Sequence, residues 1–233
     1  MKYIIVGLGV FGSSLAEKLA SQGNEVIGVD TKMQRVNELK DKITHVACLN
    51  VTDAAAVETL PLKNTDVVIV CIGEDQGANI MATAMFKNLN VKRLIGRSLN
   101  PLQENVLQAI GVHEIVRPEE ETAERWAKKL TLRGGMVDSF ELNENYSMVE
   151  IVVPDILVGK TIEEIGFRKE YNMLVLTVIK NVEKKSIIGK TRVVADVQGI
   201  PTPDTMLEKN DILVVYGSNK DIKQFISKNK NHK

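Results

Sequence analysis

A chain of 233 residues exceeds the usual size of a single domain, so two domains of modest size are expected. Hydrophobic residues make up 44% and charged residues 26% of the chain, a balance typical of globular proteins with a buried core. The 30 basic residues are matched by 30 acidic ones, which argues against a nucleic-acid partner because such proteins usually carry a strongly basic surface.

Membrane anchors and disulfides are not predicted from the sequence. The longest apolar run, VVIVCI, is far shorter than the ~20 residues of a membrane-spanning helix. Met1 leads almost directly into the first predicted strand, so no signal peptide is expected. Cys48 and Cys71 lack CxxC spacing and are interpreted as reduced thiols packed against strands. We therefore expect a cytoplasmic protein that acts at a membrane only through a partner.

Up to about residue 132, short runs rich in Val and Ile alternate with helix-patterned segments. Such nearly continuous hydrophobicity is typical of parallel strands covered on both faces. The predicted strands are KYIIV, EVIGV, HVACL, DVVIV, RLIGR and HEIV, and the helices between them are 10–21, 32–40, 53–60, 75–89 and 101–110. These repeats predict an α/β fold with a doubly wound, parallel, six-stranded Rossmann-like sheet in the order 3-2-1-4-5-6.

A crossover helix is predicted after the sixth strand, in the segment PEEETAERWAKKLTLRGG. Its first turn is acidic and its last turns are basic, as the helix dipole favours, and two glycines end it. A domain boundary is placed there. The resulting division is a nucleotide-binding domain at 1–134, a second domain at 135–226 and a disordered tail at 227–233.

The second domain is predicted to be a smaller α+β module. Its predicted strands are MVDSFEL, YSMVEIVV, MLVLTVIK and DILVVYG, and its predicted short helices are TIEEIGFRKEY and NKDIKQFI. Thr161 and Glu164 have the spacing of a capping box at the first of these helices. The polar segment 181–204 is read either as an extended hairpin arm or as a loop.

A glycine fingerprint follows the first predicted strand. Gly7 allows a tight turn, Gly9 lets the backbone approach phosphates, and Gly12 permits close packing of helix on strand. Asp30 ends the second strand, where a carboxylate accepts hydrogen bonds from a ribose 2′-OH and repels a 2′-phosphate. The pattern predicts adenine-nucleotide binding without distinguishing NAD(H), ATP, ADP and AMP. The candidate residues of this loop and strand end are Gly7, Leu8, Gly9, Val10, Phe11, Gly12, Asp30 and Thr31.

Three further stretches should face the same crevice, because ligands bind beyond the carboxyl ends of parallel strands. The candidates are Asn50, Val51 and Thr52 beside the adenine, and Cys71, Ile72 and Gly73 over the base or ribose. Arg97 follows the fifth strand and is a candidate phosphate ligand. Two alternatives stay open: Arg97 in a surface salt bridge, and Asn50 as a turn-forming residue.

A dehydrogenase also needs a proton donor beside its nicotinamide, and no convincing candidate is found. His232 lies in the tail, His45 precedes a strand, and His113 leads the sixth strand. The sequence therefore favours binding without catalysis, with a small NAD-dependent oxidoreductase as the alternative. A nucleotide-responsive transcription regulator would need a basic recognition helix, which the sequence does not offer.

Taken together, these stretches match a known pattern. The first-domain stretches are IVGLGVFGSSLAEKL, VIGVD, HVACLNVTD, VVIVCIGED and GVHEIVRPEEETAERWAKKL. They resemble the RCK N-domain, also called the KTN domain, and the remainder, ending in NDILVVYGSNKDIKQF, resembles the RCK C-domain. The resemblance covers nearly the whole chain. A free-standing pair of this length is similar to the cytosolic regulatory subunits of Ktr/Trk potassium uptake systems.

This resemblance implies a function without catalytic activity. In the family, N-domains form a homodimer and bind ATP, ADP or NAD(H) at the positions of the glycine fingerprint and Asp30. Dimers assemble into a larger ring, a tetramer or an octamer. The ring docks on a separate, membrane-embedded potassium-translocating subunit, which gives the protein a peripheral place at the inner face of the plasma membrane. A ligand that favours one ring geometry then biases the gate.

The chain departs from the family pattern at position 10. ATP-gated Ktr members commonly carry Arg there, reaching toward the terminal phosphate, and this chain has Val10, which weakens the expected preference for ATP over ADP. The resemblance also implies that Glu119 helps to bind Mg²⁺ at the N-domain dimer interface; the alternative is a carboxylate that only favours the helix dipole. Some relatives bind cyclic di-AMP in the C-domain, around 165–172 and Pro203, with Arg168 as the phosphate contact or as ordinary surface charge.

Overall fold

The computed structural model of the chain describes residues 1–131, 135–185 and 191–229. The chain divides into two units, Met1–Thr122 and Ala123–Lys233, and the division lies inside a helix. Its acidic first turn pairs within the first unit, where Glu119 contacts Arg97, and Lys128 pairs at 2.8 Å with Glu141 of the second unit.

The first unit alternates strands and helices along the chain. Its elements are β1 Lys2–Val6, α1 Val10–Ser21, β2 Glu25–Asp30, α2 Met33–Leu39, β3 His45–Cys48, α3 Ala54–Val57, a 3₁₀ turn Leu62–Asn64, β4 Val67–Val70, α4 Gln76–Asn88, β5 Leu94–Arg97, α5 Pro101–Ile110, β6 Glu114–Val116 and α6 Pro118–Thr131. All six strands are parallel, in the order β3-β2-β1-β4-β5-β6. The predicted Rossmann-like sheet and its strand order are confirmed.

The sheet is buried on both faces. Ile4 and Val6 of β1 pack into one apolar cluster, and the intervening Ile5 packs into another, as the alternation of side chains along a strand requires. Each of these three side chains is at most 1% exposed. This two-sided burial explains why the strands are nearly continuous runs of Val and Ile.

Helix boundaries follow local capping chemistry. Asn100 accepts a hydrogen bond from the backbone of Gln103 and Pro101 occupies the first turn of α5, which ends at the left-handed Gly111. The predicted helix 53–60 is shorter in the structure. Ahead of Pro61 its bonds tighten to the i→i−3 type, because a residue preceding proline avoids the helical conformation.

The second unit contains an antiparallel sheet. Its elements are β7 Met136–Glu141, β8 Tyr146–Val152, a 3₁₀ turn Asp155–Leu157, α7 Ile162–Ile165, α8 Phe167–Tyr171, β9 Leu174–Lys185, β10 Thr191–Val197, β11 Ile212–Ser218 and α9 Asn219–Lys228. The order is β10-β9-β11-β8-β7. The α+β class predicted for this part is confirmed.

Three details of the second unit refine the sequence expectations. The capping box at Thr161 is present, but Gly166, at φ +63°, divides the predicted helix into α7 and α8. Within the 181–204 arm, β9 and β10 pair antiparallel, from Lys185 opposite Thr191 to Ile179 opposite Val197, as in a hairpin arm. Residues 186–190 lie outside the described residues. The tail predicted from residue 227 begins inside α9, and 230–233 lie outside the described residues.

Phe225 of α9 provides a test of the hydrophobic core of the second unit. Its side chain is 0% exposed, and its ring centroid lies 5.7 Å from that of Phe167 and 4.9 Å from that of Tyr171. Phe225→Ala should lower the free energy of unfolding by about 3 kcal/mol or more, measured by urea denaturation followed by circular dichroism. Phe140→Ala is the control, because Phe140 is 61% exposed, and a change within about 0.5 kcal/mol is expected. Equal effects of the two substitutions would contradict this account of the core.

Candidate nucleotide-binding site

The predicted site residues follow the carboxyl ends of neighbouring parallel strands. The glycine loop leaves β1, Asp30 ends β2, Asn50 follows β3, Cys71 follows β4, and Arg97 ends β5. Because the strands are parallel and adjacent, these ends share one edge of the sheet. The candidate nucleotide-binding residues that follow β1 to β5 therefore lie on one edge of the sheet, the edge formed by the carboxyl ends of its strands.

The glycine loop is shaped by two close approaches and one open position. A Cβ on Gly7, at φ +90°, would lie 2.9 Å from the backbone nitrogen of Ile72, and one on Gly12 would lie 1.9 Å from the carbonyl oxygen of Gly7. A Cβ on Gly9 would meet no other atom of the described chain within 4 Å. The fold thus requires glycine at positions 7 and 12, whereas Gly9 leaves the backbone accessible to a ligand.

The amino end of α1 faces this open position. Gly9 is its N-cap residue, and among the described residues no side chain caps the helix there. Val10, the first residue of the helix, is 90% exposed. The first backbone N–H groups of a helix attract anions, so this end of α1 can bind a phosphate.

Asp30 connects the glycine loop to the start of α2. Its carboxylate is 7% exposed; Oδ2 accepts a hydrogen bond from the Leu8 backbone N–H at 2.7 Å, and Oδ1 accepts one from the Lys32 N–H at 2.8 Å. Arg35 Nη1 lies 3.4 Å from Oδ2. A carboxylate has about four acceptor positions, so Asp30 retains capacity for a ribose hydroxyl while it fixes the loop.

Sequence reasoning missed a group of ion pairs beside Asp30. Arg35 forms a hydrogen-bonded ion pair with Glu74 through Nη2, and Lys32 Nζ lies 2.7 Å from the other carboxylate oxygen of Glu74. The hydrogen bonds from Lys32 and Arg35 lower the pKa of Glu74 to about 2, and the hydrogen bond to Glu74 raises the pKa of Arg35. The only sequence signal was that Arg35 follows Asp30 by five residues and Glu74 follows Gly73.

Two of the residues after β3, Asn50 and Thr52, form hydrogen bonds with each other. Asn50 Oδ1 accepts hydrogen bonds from the backbone N–H of Thr52 at 3.0 Å and from its hydroxyl at 2.9 Å, as in a turn. Val51 is 4% exposed and packs into the core of the unit. Thr31 accepts a long contact, 3.5 Å, from the Cys48 thiol through its carbonyl oxygen. The turn-forming alternative for Asn50 matches this geometry.

The residues after β4 pack against the glycine loop. Cys71 is 2% exposed, and burial raises the pKa of its thiol to about 12. Ile72 lies against Gly7, and a Cβ on Gly73 would lie 2.6 Å from Arg97 Nη1. The buried amide of Asn79, also missed from sequence, donates hydrogen bonds to the carbonyl oxygens of Ile72 at 2.7 Å and Arg97 at 3.2 Å, joining β4 to β5.

Arg97 is held on three sides. Nη1 donates a hydrogen bond to the carbonyl oxygen of Cys71 at 3.1 Å, and the guanidinium carbon lies 5.6 Å from the centroid of the Phe11 ring. Nη2 forms a hydrogen-bonded ion pair with Glu119, the residue expected to bind Mg²⁺. Among the described residues, no group of three His, Cys, Asp or Glu side chains is placed to hold a metal ion. The Mg²⁺ site at a dimer interface therefore stays a prediction.

The positions expected to bind cyclic di-AMP are near one another in the second unit. The carbonyl oxygen of Pro203 accepts a hydrogen bond from the Glu163 N–H at 2.9 Å, which places it beside α7. Arg168 lies on α8 next to Phe167, which is 3% exposed. This arrangement does not test the expectation, and the second ligand stays a prediction.

Comparison with known proteins identifies the family. Residues 3–118 match the TrkA-N domain model and residues 147–229 match the TrkA-C domain model. Over 224 residues the chain is 33% identical to Ktr system potassium uptake protein C of Bacillus subtilis (strain 168), an alignment covering 96% of this chain and 95% of that protein. The chain belongs to the family of Ktr/Trk potassium uptake proteins. The expected family membership is confirmed.

Solved structures show the fold of this Ktr/Trk family member. The GsuK RCK domain matches with a TM-score of 0.62 at 18% identity, covering 100% of this chain and 48% of that chain. The GsuK channel bound to NAD matches with a TM-score of 0.61 at 18% identity, covering 99% of this chain and 39% of that chain. The chain thus spans less than half of the GsuK chains. None of the helices within the described residues is both long and apolar enough to cross a membrane.

The two cysteines give a direct test of the site's packing. Cys71 is buried, and burial raises the pKa of its thiol, so this thiol is almost entirely un-ionised at pH 8, whereas Cys48 is exposed. Cys71 in a Cys48→Ser variant should react with a disulfide reagent at least ~100-fold more slowly than Cys48 in a Cys71→Ser variant. Stopped-flow absorbance at pH 8 measures both rates, and urea should accelerate the slow one. Equal rates in the folded proteins would show that the reagent reaches Cys71 and that this residue is not buried as the structure has it.

Proposed function

We propose that this chain is a nucleotide-binding regulatory subunit of a potassium uptake system. It binds an adenine nucleotide at the carboxyl edge of its parallel sheet and controls a separate, membrane-embedded potassium-translocating subunit. One observation carries the proposal: an uncapped helix end, an accessible Gly9 and the Asp30 carboxylate lie together in a chain of the Ktr/Trk family.

The nucleotide is an adenosine compound with at least one phosphate: ATP, ADP, AMP or NAD(H). The amino end of α1 binds the phosphate, and Asp30 accepts a hydrogen bond from the ribose. Support comes from the fold neighbour GsuK, whose channel structure contains NAD. Because Val10 carries no charge, the cation on this side of the loop is Arg97, which lies over the ring of Phe11.

The proposal also includes Mg²⁺ and cyclic di-AMP, the two further ligands that the family resemblance implies. Mg²⁺ would reach Glu119 only if that carboxylate exchanged its ion pair with Arg97, and a phosphate that attracts Arg97 would favour the exchange. Cyclic di-AMP would bind in the second unit beside α7 and α8.

Control is proposed to act through assembly. Two copies form a dimer, dimers form a tetrameric or octameric ring, and the ring lies at the inner face of the plasma membrane against the potassium-translocating subunit. A ligand that binds one ring geometry more tightly shifts the population toward it, and the shift opens or closes the path for the ion. No chemical step is required. The small NAD-dependent oxidoreductase is the less favoured alternative, since the relatives are potassium uptake proteins.

Gly9→Ala separates ligand binding from folding. The N-cap φ of −69° suits alanine, and the added Cβ meets no described atom. Because alanine is a poorer N-cap residue than glycine, the free energy of unfolding should fall by no more than about 1 kcal/mol. The methyl group would occupy the space through which phosphate approaches. Isothermal titration of ATP, ADP, AMP, NAD⁺ and NADH should show binding of at least one to the unaltered chain and a loss of at least ~10-fold in Gly9→Ala.

Ser14→Ala is the matched control for this titration, because Ser14 is exposed on the same helix and should leave both quantities unchanged. Asp30→Ala is a poorer probe, since it would also leave the buried N–H of Leu8 without its acceptor. If the unaltered chain bound none of the five nucleotides, the proposed function would be wrong.

Transport provides an independent test. A bacterial strain without potassium uptake should require both this chain and its cognate membrane subunit for rapid uptake at low external potassium, measured with rubidium-86. Gly9→Ala should reduce the regulated part of that uptake, because a ring without ligand loses the population shift. Identical uptake with and without this chain would contradict a regulatory role.

A further inference from the structure

A bridge of ion pairs crosses the carboxyl edge above the glycine loop. Lys32 and Arg35 lie at the start of α2, after β2, and Glu74 lies in the turn after β4. In the sheet, β2 and β4 are the two neighbours of β1. The bridge from Glu74 to both cations therefore spans the end of β1, where the glycine loop begins.

The bridge also lies beside the ribose-binding carboxylate. Arg35 contacts Glu74 through Nη2 and approaches Asp30 Oδ2 to 3.4 Å through Nη1, and its side chain is 26% exposed. The backbone N–H of Lys32 donates a hydrogen bond to the same carboxylate, at Oδ1. Two cations thus lie beside the carboxylate proposed to bind the adenosine ribose; both pair with Glu74, and Glu74 and Asp30 together balance their charge.

We propose that Glu74 is a specificity-determining residue that excludes nucleotides phosphorylated on the adenosine ribose. It does so by holding Lys32 and Arg35 in ion pairs, so that Asp30 faces the ribose without a free cation beside it. This inference rests on the proposed function, since it assigns the selectivity of the same site. Arg–phosphate and Lys–phosphate pairs are strong, and an arginine near the ribose is what accommodates a 2′-phosphate in nucleotide-binding sites of this kind.

Glu74, rather than Asp30, is the adjustable part of this selectivity. Asp30 is 7% exposed and satisfies two backbone N–H groups, so its removal would disturb the loop itself. The Glu74 side chain is 64% exposed, and its described contacts are with two side chains. Replacing it with glutamine removes the charge, keeps the size and leaves the backbone of the site in place.

The test compares matched pairs of ligands that differ by the 2′-phosphate. NAD⁺ and NADP⁺ form one pair, and AMP and adenosine 2′,5′-bisphosphate form the other. Isothermal titration at low salt should show that Glu74→Gln lowers the preference for the unphosphorylated member by at least ~10-fold. Adding Lys32→Ala to Glu74→Gln should reverse part of the change, because it removes one of the two freed cations.

Glu17→Gln is the control, since Glu17 pairs at 2.8 Å with Lys42 in an exposed ion pair and should leave the preference unchanged. Equal gains for both members of a pair in Glu74→Gln would overturn the inference, because the freed cations would then not distinguish the 2′-phosphate; a shift of the same size in Glu17→Gln would attribute the change to net charge and would overturn it as well. Binding of the unphosphorylated ligand with an unchanged preference would also overturn it, and would leave the proposed function intact. No binding of any of the four ligands to the unaltered chain or its variants would overturn both.

Discussion

The hydrogen bond from the Leu8 backbone to the Asp30 carboxylate organises the functional edge of this protein. At 2.7 Å it joins the loop after β1 to the end of β2, and the second oxygen of the same carboxylate holds the start of α2. The loop so fixed has no room for a side chain at Gly12, which lies against the carbonyl of Gly7. Fold and site therefore share one buried carboxylate, and neither can be altered there without the other.

Charge at this edge is arranged in pairs rather than as a positive pocket. Arg97 pairs with Glu119, and Lys32 and Arg35 pair with Glu74. The proposed attraction for a ligand phosphate therefore rests chiefly on the backbone N–H groups of α1, which salt bridges do not neutralise. In the proposed site, each phosphate contact to one of these side chains would have to displace a carboxylate.

The sequence predicted the elements and missed the partners. Runs such as KYIIV fix a two-sided buried strand, and glycine spacing fixes the turn, because both depend on neighbouring residues alone. Arg35 and Glu74 are 39 positions apart, and only the order β2-β1-β4 brings them together. Asn79 was missed for the same reason: its acceptors belong to Ile72 and Arg97, on two different strand ends.

Other differences have local causes that the sequence did contain. Gly166 divides α7 from α8 by adopting a left-handed conformation, and a glycine inside a predicted helix is a signal for such a break. Glu119 was assigned by resemblance, which fixes a position in a family but not the partner that a carboxylate chooses in one chain. The hairpin of β9 and β10 was one of two open alternatives, because its polar sequence carries alternation too weak to decide between them.

The ion pairs of Glu74 with Lys32 and Arg35 do not respond to pH in the physiological range. Its hydrogen bonds from Lys32 and Arg35 lower the pKa of the carboxyl to about 2. A carboxylate with a lowered pKa stabilises the folded state above its ordinary pKa, near 4.5, and that stabilisation is lost only as the pH falls toward 2. Across the range in which cells live, Glu74 is ionised and the bridge is intact. Opening of the Glu74 bridge would therefore need a ligand that competes for Lys32 and Arg35, which is the class of ligand that the bridge is proposed to exclude.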